Sequence, residues 1–238
     1  MATKIHKAVI LAAGKGTRMA ELTAQAPKPM LVVRGKPILE HVADRLEAAG
    51  AARLLVVVGY YGDQIRAFFA GRKSMEFREQ QEVNGTATAA LLGREFAGPD
   101  PFLLTFGDIL AAPGDYLRMM ALLEDGVAGV LAVKHTEDPY RGAAVYERDG
   151  VVRRIVEKPP RGSSTTPWNS AGIYVFRPEV FEELARVPVS PRGEYELTSA
   201  VSQMVEAGRE VRMCAVSGDW LDVGRPEDLA AAEGILGA

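Results

Sequence analysis

Apolar runs of strand length alternate with helix-period patterns through the first half of the chain. Residues 7–11 form one such run; Ile38, Leu39, Val42, Leu46 and Ala49 then recur at helical spacing, and residues 54–58 are apolar without a break. This is a βαβ opening. Pro37 stands where a first-turn proline is tolerated, and Gly50 where a helix stops. The same reading predicts a helix over 62–69, a short strand at 75–78, a helix over 86–94 opened by Asn84-Gly85, and a strand at 102–106 that ends in Gly107-Asp108. Such alternation predicts a mostly parallel sheet with helices on both faces, where ligands collect at the carboxyl ends of the strands. The glycine-containing turn after residue 11 and Asp108 both lie at such ends.

After a helix predicted at 115–123 the character changes. Strands at 129–134, 142–147, 151–157 and 171–176 follow one another without long helices, and Asp149-Gly150 between two alternating runs is a hairpin signal. Residues 159–167 form a Pro/Gly/Ser/Thr loop too short for a domain linker. Helices return at 178–184 and 196–207; a strand at 211–216 leads through Trp220-Leu221-Asp222-Val223-Gly224 into a final helix from Pro226. No repeat, low-complexity segment or charged linker divides the chain, so residues 1–238 read as one domain.

Composition narrows the classes. A chain of 238 residues is long enough to bury a full core, and a net charge of −3 gives no global drive toward nucleic acid or anionic membrane. Any polyanion site must be local. The single cysteine, Cys214, lies in an apolar run and reads as a buried structural thiol that suits a reducing cytoplasm. Met1–Lys7 shows no apolar leader and no run is long enough to span a bilayer, so the expectation is a cytoplasmic protein without a membrane partner. His6, His41 and His135 lie far apart, with no acid or cysteine at ligand spacing, and read as ordinary histidines.

The candidate chemistry begins at LAAGKGTRMAELTAQAPKPM, residues 11–30. A strand that opens into Gly14-Lys15-Gly16-Thr17-Arg18 can bend where a Cβ would clash, so that successive amides point at phosphate oxygens. Arg18 and Lys28 add positive charge. A Walker loop needs four residues between its glycines, and here there is one; a dinucleotide fingerprint needs a glycine at position 19, which is Met, and an acid after the second strand, where Gly59-Tyr60-Tyr61 stands. Asp108 and Asp222, each directly after an apolar strand or in a Gly- and Trp-flanked loop, are the acids best placed for a metal. Each alone is also an ordinary turn residue.

These segments together resemble the sugar-phosphate nucleotidyltransferases, the family of glucose-1-phosphate thymidylyl- and uridylyltransferases and mannose-1-phosphate guanylyltransferases. LAAGKGTRM with PKPM carries the likeness first; FLLTFGDIL and WLDVG look like the family's two metal-aspartate segments, in the family's order. Glu79-Gln80-Gln81-Glu82-Val83-Asn84-Gly85-Thr86 is similar to its base-reading loop. Arg141-Gly142, Glu157-Lys158-Pro159 and Asn169-Ser170-Ala171-Gly172 resemble its sugar-phosphate half, and Gly193-Glu194-Tyr195-Glu196-Leu197-Thr198 matches a segment expected to be mainly helix entry. The sequence departs from the family in the order Tyr140-Arg141 and in placing Asn169 three residues before Gly172, where Ser170 holds the usual place.

What the resemblance implies is an α/β, Rossmann-like, GT-A-like three-layer fold with a mixed, mostly parallel sheet: residues up to about 125 on the nucleotide side, the remainder on the sugar-phosphate side. The implied nucleotide contacts come from Leu11, Ala12, Ala13, Gly14, Gly16 and Thr17, with Gln80 or its neighbour Gln81 reading the base beside Gly85 and Thr86. Arg18, Lys28 and Asp108 would be catalytic. Gly142, Glu157, Lys158 and Asn169 would meet the sugar phosphate, and Asp108 with Asp222 would hold Mg2+. The implied reaction joins a nucleoside triphosphate, UTP or dTTP by the lean of Gln80, to a sugar-1-phosphate and releases pyrophosphate. A guanylyl- or cytidylyltransferase acting on another sugar phosphate or choline phosphate, and a non-catalytic regulatory relative, are the alternatives. No acyltransferase or β-helix region follows the last helix, so a single activity is expected, and assembly into a homo-oligomer is left open.

Overall fold

The computed structural model of the chain describes residues 5–237; the N-terminal residues 1–4, read above as part of a segment without an apolar leader, lie outside them. The strands are β1 (Lys7–Ala12), β2 (Val32–Val33), β3 (Lys36–Pro37), β4 (Arg53–Val58), β5 (Met75–Glu79), β6 (Phe102–Phe106), β7 (Ile109–Ala111), β8 (Val127–His135), β9 (Ala143–Arg148), β10 (Val151–Glu157), β11 (Trp168–Phe176), β12 (Glu210–Ala215) and β13 (Trp220–Asp222). The helices are α1 (Ile38–Ala48), α2 (Gly62–Phe68), α3 (Thr86–Leu91), α4 (Arg94–Ala97), α5 (Pro113–Ala121), α6 (Val180–Leu184), α7 (Leu197–Glu206) and α8 (Pro226–Ile235).

The unbroken apolar runs are strands buried on both faces, and the side chains show it directly. In β1, Ala8, Ile10 and Ala12 join one hydrophobic cluster while Val9 and Leu11 join a second; β4 divides in the same way, Leu54, Val56 and Val58 against Leu55 and Val57. Helices α1 and α5 cover the first face through Ile38, Leu39, Val42, Leu46, Tyr116 and Met119. Helices α3, α6 and α7 cover the second through Ala87, Ala90, Val180, Phe181, Leu197, Val201 and Met204. These are the three layers that the pattern predicts.

Nine strands form the central sheet in the order β5-β4-β1-β6-β11-β8-β12-β10-β9. The pairings set β10 and β11 against the direction of the other seven, so the sheet is mostly parallel by direction and mixed by pairing. Strand β11 joins the halves, lying antiparallel between β6 and β8. It carries a register break between Ser170 and Tyr174, at Gly172 with φ +70°. A Cβ there would strike Ile109 and Phe106. Such a bulge re-aims the strand, here toward the cavity described below.

Several elements differ from the sequence reading. The helix expected over 86–94 is two pieces, because the amides of Leu92 and Gly93 turn to carbonyls three residues back, on Ala89 (3.3 Å) and Ala90 (2.9 Å), and a Cβ on Gly93 would come 3.0 Å from Val9 Cγ2 of β1. Residues 220–222 are a strand, β13, paired antiparallel with β7. The Asp149-Gly150 hairpin forms with both residues at positive φ (55° and 76°), as a two-residue turn of this kind requires. Cys214 is free and buried, and burial pushes its thiol pKa up. Among the described residues no helix is long and apolar enough to cross a membrane.

Candidate active site

At the end of β1 the chain leaves the sheet through residues 13–16 and enters a short 3-10 helix, Thr17–Thr23. Gly16 has φ +63°, and a Cβ on it would lie 2.9 Å from Lys28 Cβ and 3.2 Å from Thr23 Cγ2. Glycine here lets the loop close over Lys28. Gly14 is different, since nothing lies within 4 Å of a Cβ built there; the clash expected at both glycines exists only at the second. Leu11, Ala12 and Ala13 are buried, and the carbonyls of Leu11 and Ala13 accept from Gly107 N (2.9 Å) and Tyr60 N (3.2 Å). Their side chains are core, so they can meet a ligand only through main chain. Thr17 and Arg18 are exposed at the loop's far end.

Lys28 opens a one-turn 3-10 helix, Lys28–Met30, between two prolines, and is only 6% exposed. Pro29 rests on Gly107, where a Cβ would be 3.3 Å from its Cγ, and this contact brings Lys28 to the end of β6. Its Nζ donates to the Asp108 carboxylate and stands 3.6 Å from Asp222 Oδ1. The β7–β13 pair produces this convergence. Asp222 is registered with Ile109, and Val223 N donates to Asp108 O at 3.0 Å, so acids far apart in sequence stand side by side. Burial, and then the neighbouring Asp108 charge, push the Asp222 carboxyl pKa up against the smaller pull of Lys28, Arg18 and Lys134. Two mutually repelling hard carboxylates around one buried ammonium suit a divalent cation that completes its shell with phosphate and water. No group of three or more acid, histidine or cysteine ligands occurs among the described residues.

Beside this pair opens a cavity of about 520 Å³ whose wall includes Arg18, Thr86, Asp108, Gly142, Glu157, Lys158, Asn169 and Asp222. Glu157 ends β10; its Oε2 accepts from Thr198 Oγ1 at 2.9 Å, and Arg192 Nη2 lies 3.6 Å from its other oxygen. Burial dominates its electrostatics and pushes its pKa up. Lys158 turns outward at φ +40° with its N–H on Gly142 O (2.8 Å). Asn169 lies across Gly142, whose missing Cβ would be 2.6 Å from Oδ1. Of the Asn169/Ser170 alternatives, Ser170 Oγ is engaged with Tyr174 Oη (3.2 Å) and Gly172 N (3.3 Å), whereas Asn169 Oδ1 is buried without a hydrogen-bond partner.

The remaining predicted residues stand outside that wall. Leu11, Ala12, Ala13, Gly14, Gly16, Thr17, Lys28, Gln80 and Gly85 are not on it, although Arg18 and Thr86, their chain neighbours, are. Gln80 is buried, and its amide nitrogen donates to Gly85 O and Thr88 Oγ1, both at 2.9 Å. Its NH2 therefore braces the Gly85 turn and is not presented to a base, while Gln81 is exposed. Gly85 has φ +148°, and a Cβ would land on the Tyr195 backbone. Tyr195 bonds both Asn84 O (3.0 Å, from its N–H) and Ala87 N (2.9 Å, to its carbonyl). The segment expected as helix entry is thus also the buttress of this loop.

Sequence reasoning passed over Lys134, Arg192 and Trp220, all on the cavity wall. Arg192 gathers Glu157, Glu194 and Glu196. A signal existed for Lys134: it comes near the carboxyl end of an apolar strand, as Asp108 does.

The architecture is that of an α/β protein with its site at the carboxyl ends of the sheet, and known proteins share it. The family model described as "Nucleotidyl transferase" matches residues 7–236, and the chain belongs to that family. It is 35% identical over 240 residues to the UTP–glucose-1-phosphate uridylyltransferase AglF of Haloferax volcanii, covering 95% of each chain. It is 34% identical over 230 residues to the bifunctional protein GlmU of Methanocaldococcus jannaschii, covering 96% of this chain and 54% of that one, so it spans about half the length of such relatives. A UDP-glucose pyrophosphorylase solved with UDP-glucose has the same fold, with a TM-score of 0.87 at 22% identity and 98% of each chain covered.

Proposed function

We propose that the chain is a magnesium-dependent sugar-1-phosphate nucleotidyltransferase of the cytoplasm, joining UTP or dTTP to a sugar-1-phosphate and releasing pyrophosphate. The observation that carries the reading is the convergence on Lys28 Nζ of Asp108 and Asp222, two acids of the cavity wall that also carries Glu157 and Asn169. A phosphate oxygen of the sugar phosphate attacks the α-phosphorus; a new P–O bond forms as the bond to the pyrophosphate oxygen breaks. No covalent enzyme intermediate is required, so the protein's work is positioning and charge neutralisation.

In this scheme Arg18 and the loop amides hold the departing phosphates. Lys28 lies where negative charge grows, and its burial strengthens that interaction. Magnesium on Asp108 and Asp222, when bound, supplies further charge neutralisation at the reacting phosphate. Glu157 accepts hydroxyls of the sugar, Asn169 offers it an unpaired amide oxygen, and Lys158 with the main chain at Gly142 meets its phosphate. The Gly85–Thr86 turn braced by Gln80 receives the base. The AglF relative, a UTP–glucose-1-phosphate uridylyltransferase, supports the pyrimidine lean.

The test is pyrophosphate release by purified protein with magnesium, across UTP, dTTP, GTP, CTP and ATP, each paired with glucose-1-phosphate, N-acetylglucosamine-1-phosphate or mannose-1-phosphate. A productive pyrimidine pair is expected. Turnover with a purine nucleotide alone would overturn the assignment of the base, and release with no pair would overturn the activity.

A further inference from the structure

Lys134 stands near the carboxyl end of β8, directly opposite Asn169 in the antiparallel register with β11, so the two side chains share one face of the sheet. Its Nζ lies 3.9 Å from the centroid of the Trp220 ring. That ring is itself fixed, because Trp220 Nε1 donates to Ala171 O at 2.9 Å, on the bulged stretch of β11. Trp220 comes two residues before Asp222 on β13. The lysine is half-buried on the cavity wall, yet joins no ion pair among the described residues, whereas Lys28 and Arg192 both do. Asp222 and Asp228 act on it at longer range. Its cross-strand neighbour Asn169 contributes the buried amide oxygen that has no partner.

An ammonium drawn half out of water without a carboxylate is costly, and stacking on an indole offsets only part of that cost. A structural lysine would be expected to end on a carboxylate or a carbonyl, as Lys7 does on Asp100 and Ala97. What Lys134 faces is open cavity. We infer that Lys134 is a further substrate ligand, holding the phosphate of the acceptor sugar-1-phosphate against the wall formed by Trp220 and Asn169. The inference rests on the nucleotidyltransferase reading for the identity of the acceptor. It adds a second cation to Lys158: the dianionic phosphate is gripped from β8 on one side and from the turn after β10 on the other, and the sugar is held over Asn169.

The experiment compares wild type, Lys134→Gln and Lys134→Arg. Binding of glucose-1-phosphate, N-acetylglucosamine-1-phosphate and mannose-1-phosphate is measured by calorimetry, and binding of UTP and dTTP separately. Thermal melts establish that each variant is folded. Lys134→Gln should weaken the best-bound sugar phosphate by about 10- to 100-fold, the worth of a charge-assisted contact, and raise its KM in parallel. The nucleotide affinity should stay nearly constant, and Lys134→Arg should recover most of the loss. Unchanged sugar-phosphate affinity in Lys134→Gln, an equal loss for nucleotide, or failure of wild type to bind any of the three sugar phosphates would overturn the assignment. Lys134-dependent binding with no pyrophosphate release from any pair would leave the assignment standing and remove the transferase reading instead. If Lys134→Gln does not fold, Trp220→Leu is read in its place: selective loss of sugar-phosphate binding supports the site, and unchanged binding overturns it.

Discussion

Lys28 is held by two carboxylates that differ in their surroundings. It bonds Asp108 directly and stands 3.6 Å from Asp222, whose carboxyl pKa is pushed up by burial and by the Asp108 charge. Removing the lysine takes a fixed positive charge from the place where the transferred phosphate would gain negative charge. Lys28→Ala should therefore lower kcat/KM for the productive pair by about 2–4 kcal/mol of transition-state stabilisation, and steady-state kinetics would show it; an unchanged value removes Lys28 from the chemistry. Asp108→Asn and Asp222→Asn should each cut turnover and raise the magnesium concentration needed for half-maximal rate. Near-normal turnover in both would end the metal assignment. Glu157 gives a pH signature. Burial raises its folded pKa, so the folded protein loses stability relative to the unfolded chain as pH rises through that value and the buried carboxyl ionises. Glu157→Gln removes this loss. Its melting temperature should exceed that of wild type at pH 8, and the gap should close toward about pH 4, the ordinary glutamate range; a gap that widens on acidification contradicts the sign.

Local elements matter because they hold these side chains without touching substrate. The Gly85 turn is clamped from three sides, by Gln80, by Tyr195 through Asn84 and Ala87, and by Thr86 Oγ1, which accepts from Leu197 N at 2.9 Å. A methyl on Gly85 falls on the Tyr195 backbone, which has no flexible end to give way. Gly85→Ala should accordingly lower the melting temperature and weaken nucleotide binding together, whereas Gly14→Ala, with open space around it, should leave stability nearly unchanged. Equal melting temperatures for the two variants would contradict this account. The pair β7–β13 is the comparable device for the acids: three residues on each strand fix Asp222 beside Asp108, and Trp220 beside Lys134.

Among the described residues, one sheet runs through both halves, with β11 paired to β6 on one side and β8 on the other. Phe176 on β11 is paired with Phe102 on β6, is fully buried, and stacks on Tyr174 with ring centroids 5.3 Å apart. Phe176→Ala should cost about 3–5 kcal/mol of stability. Because β11 belongs to both halves, the variant should still unfold in a single transition by circular dichroism and by tryptophan fluorescence. Two separated transitions would show that residues up to about 125 and those after it are independent domains.

The chain's own pattern determined the layers and most of the strands. Residues such as Val9 and Ile10, or Leu55 and Val56, must face opposite sides of a sheet, and if both are apolar then both sides are covered. The same reading reached Arg18, Lys28, Asp108 and Asp222, since glycine, a Pro-Lys-Pro turn and acids at strand ends are legible locally. It did not reach the break at Gly93, the strand at 220–222, or the inward turn of the Gln80 amide. Those depend on contacts the apolar pattern does not encode: the tightened turn at Leu92 and Gly93, Ile109 beside Asp222 across the fold, and Gly85 O within reach of Gln80. Arg192 was invisible for the same reason, and the place of Lys134 near a strand's carboxyl end did not by itself set it apart from a surface lysine. A cation reads as solvated surface until the tertiary structure closes a cavity over it, and only then do its distance from the nearest acid and its burial decide whether it is a surface charge or a ligand.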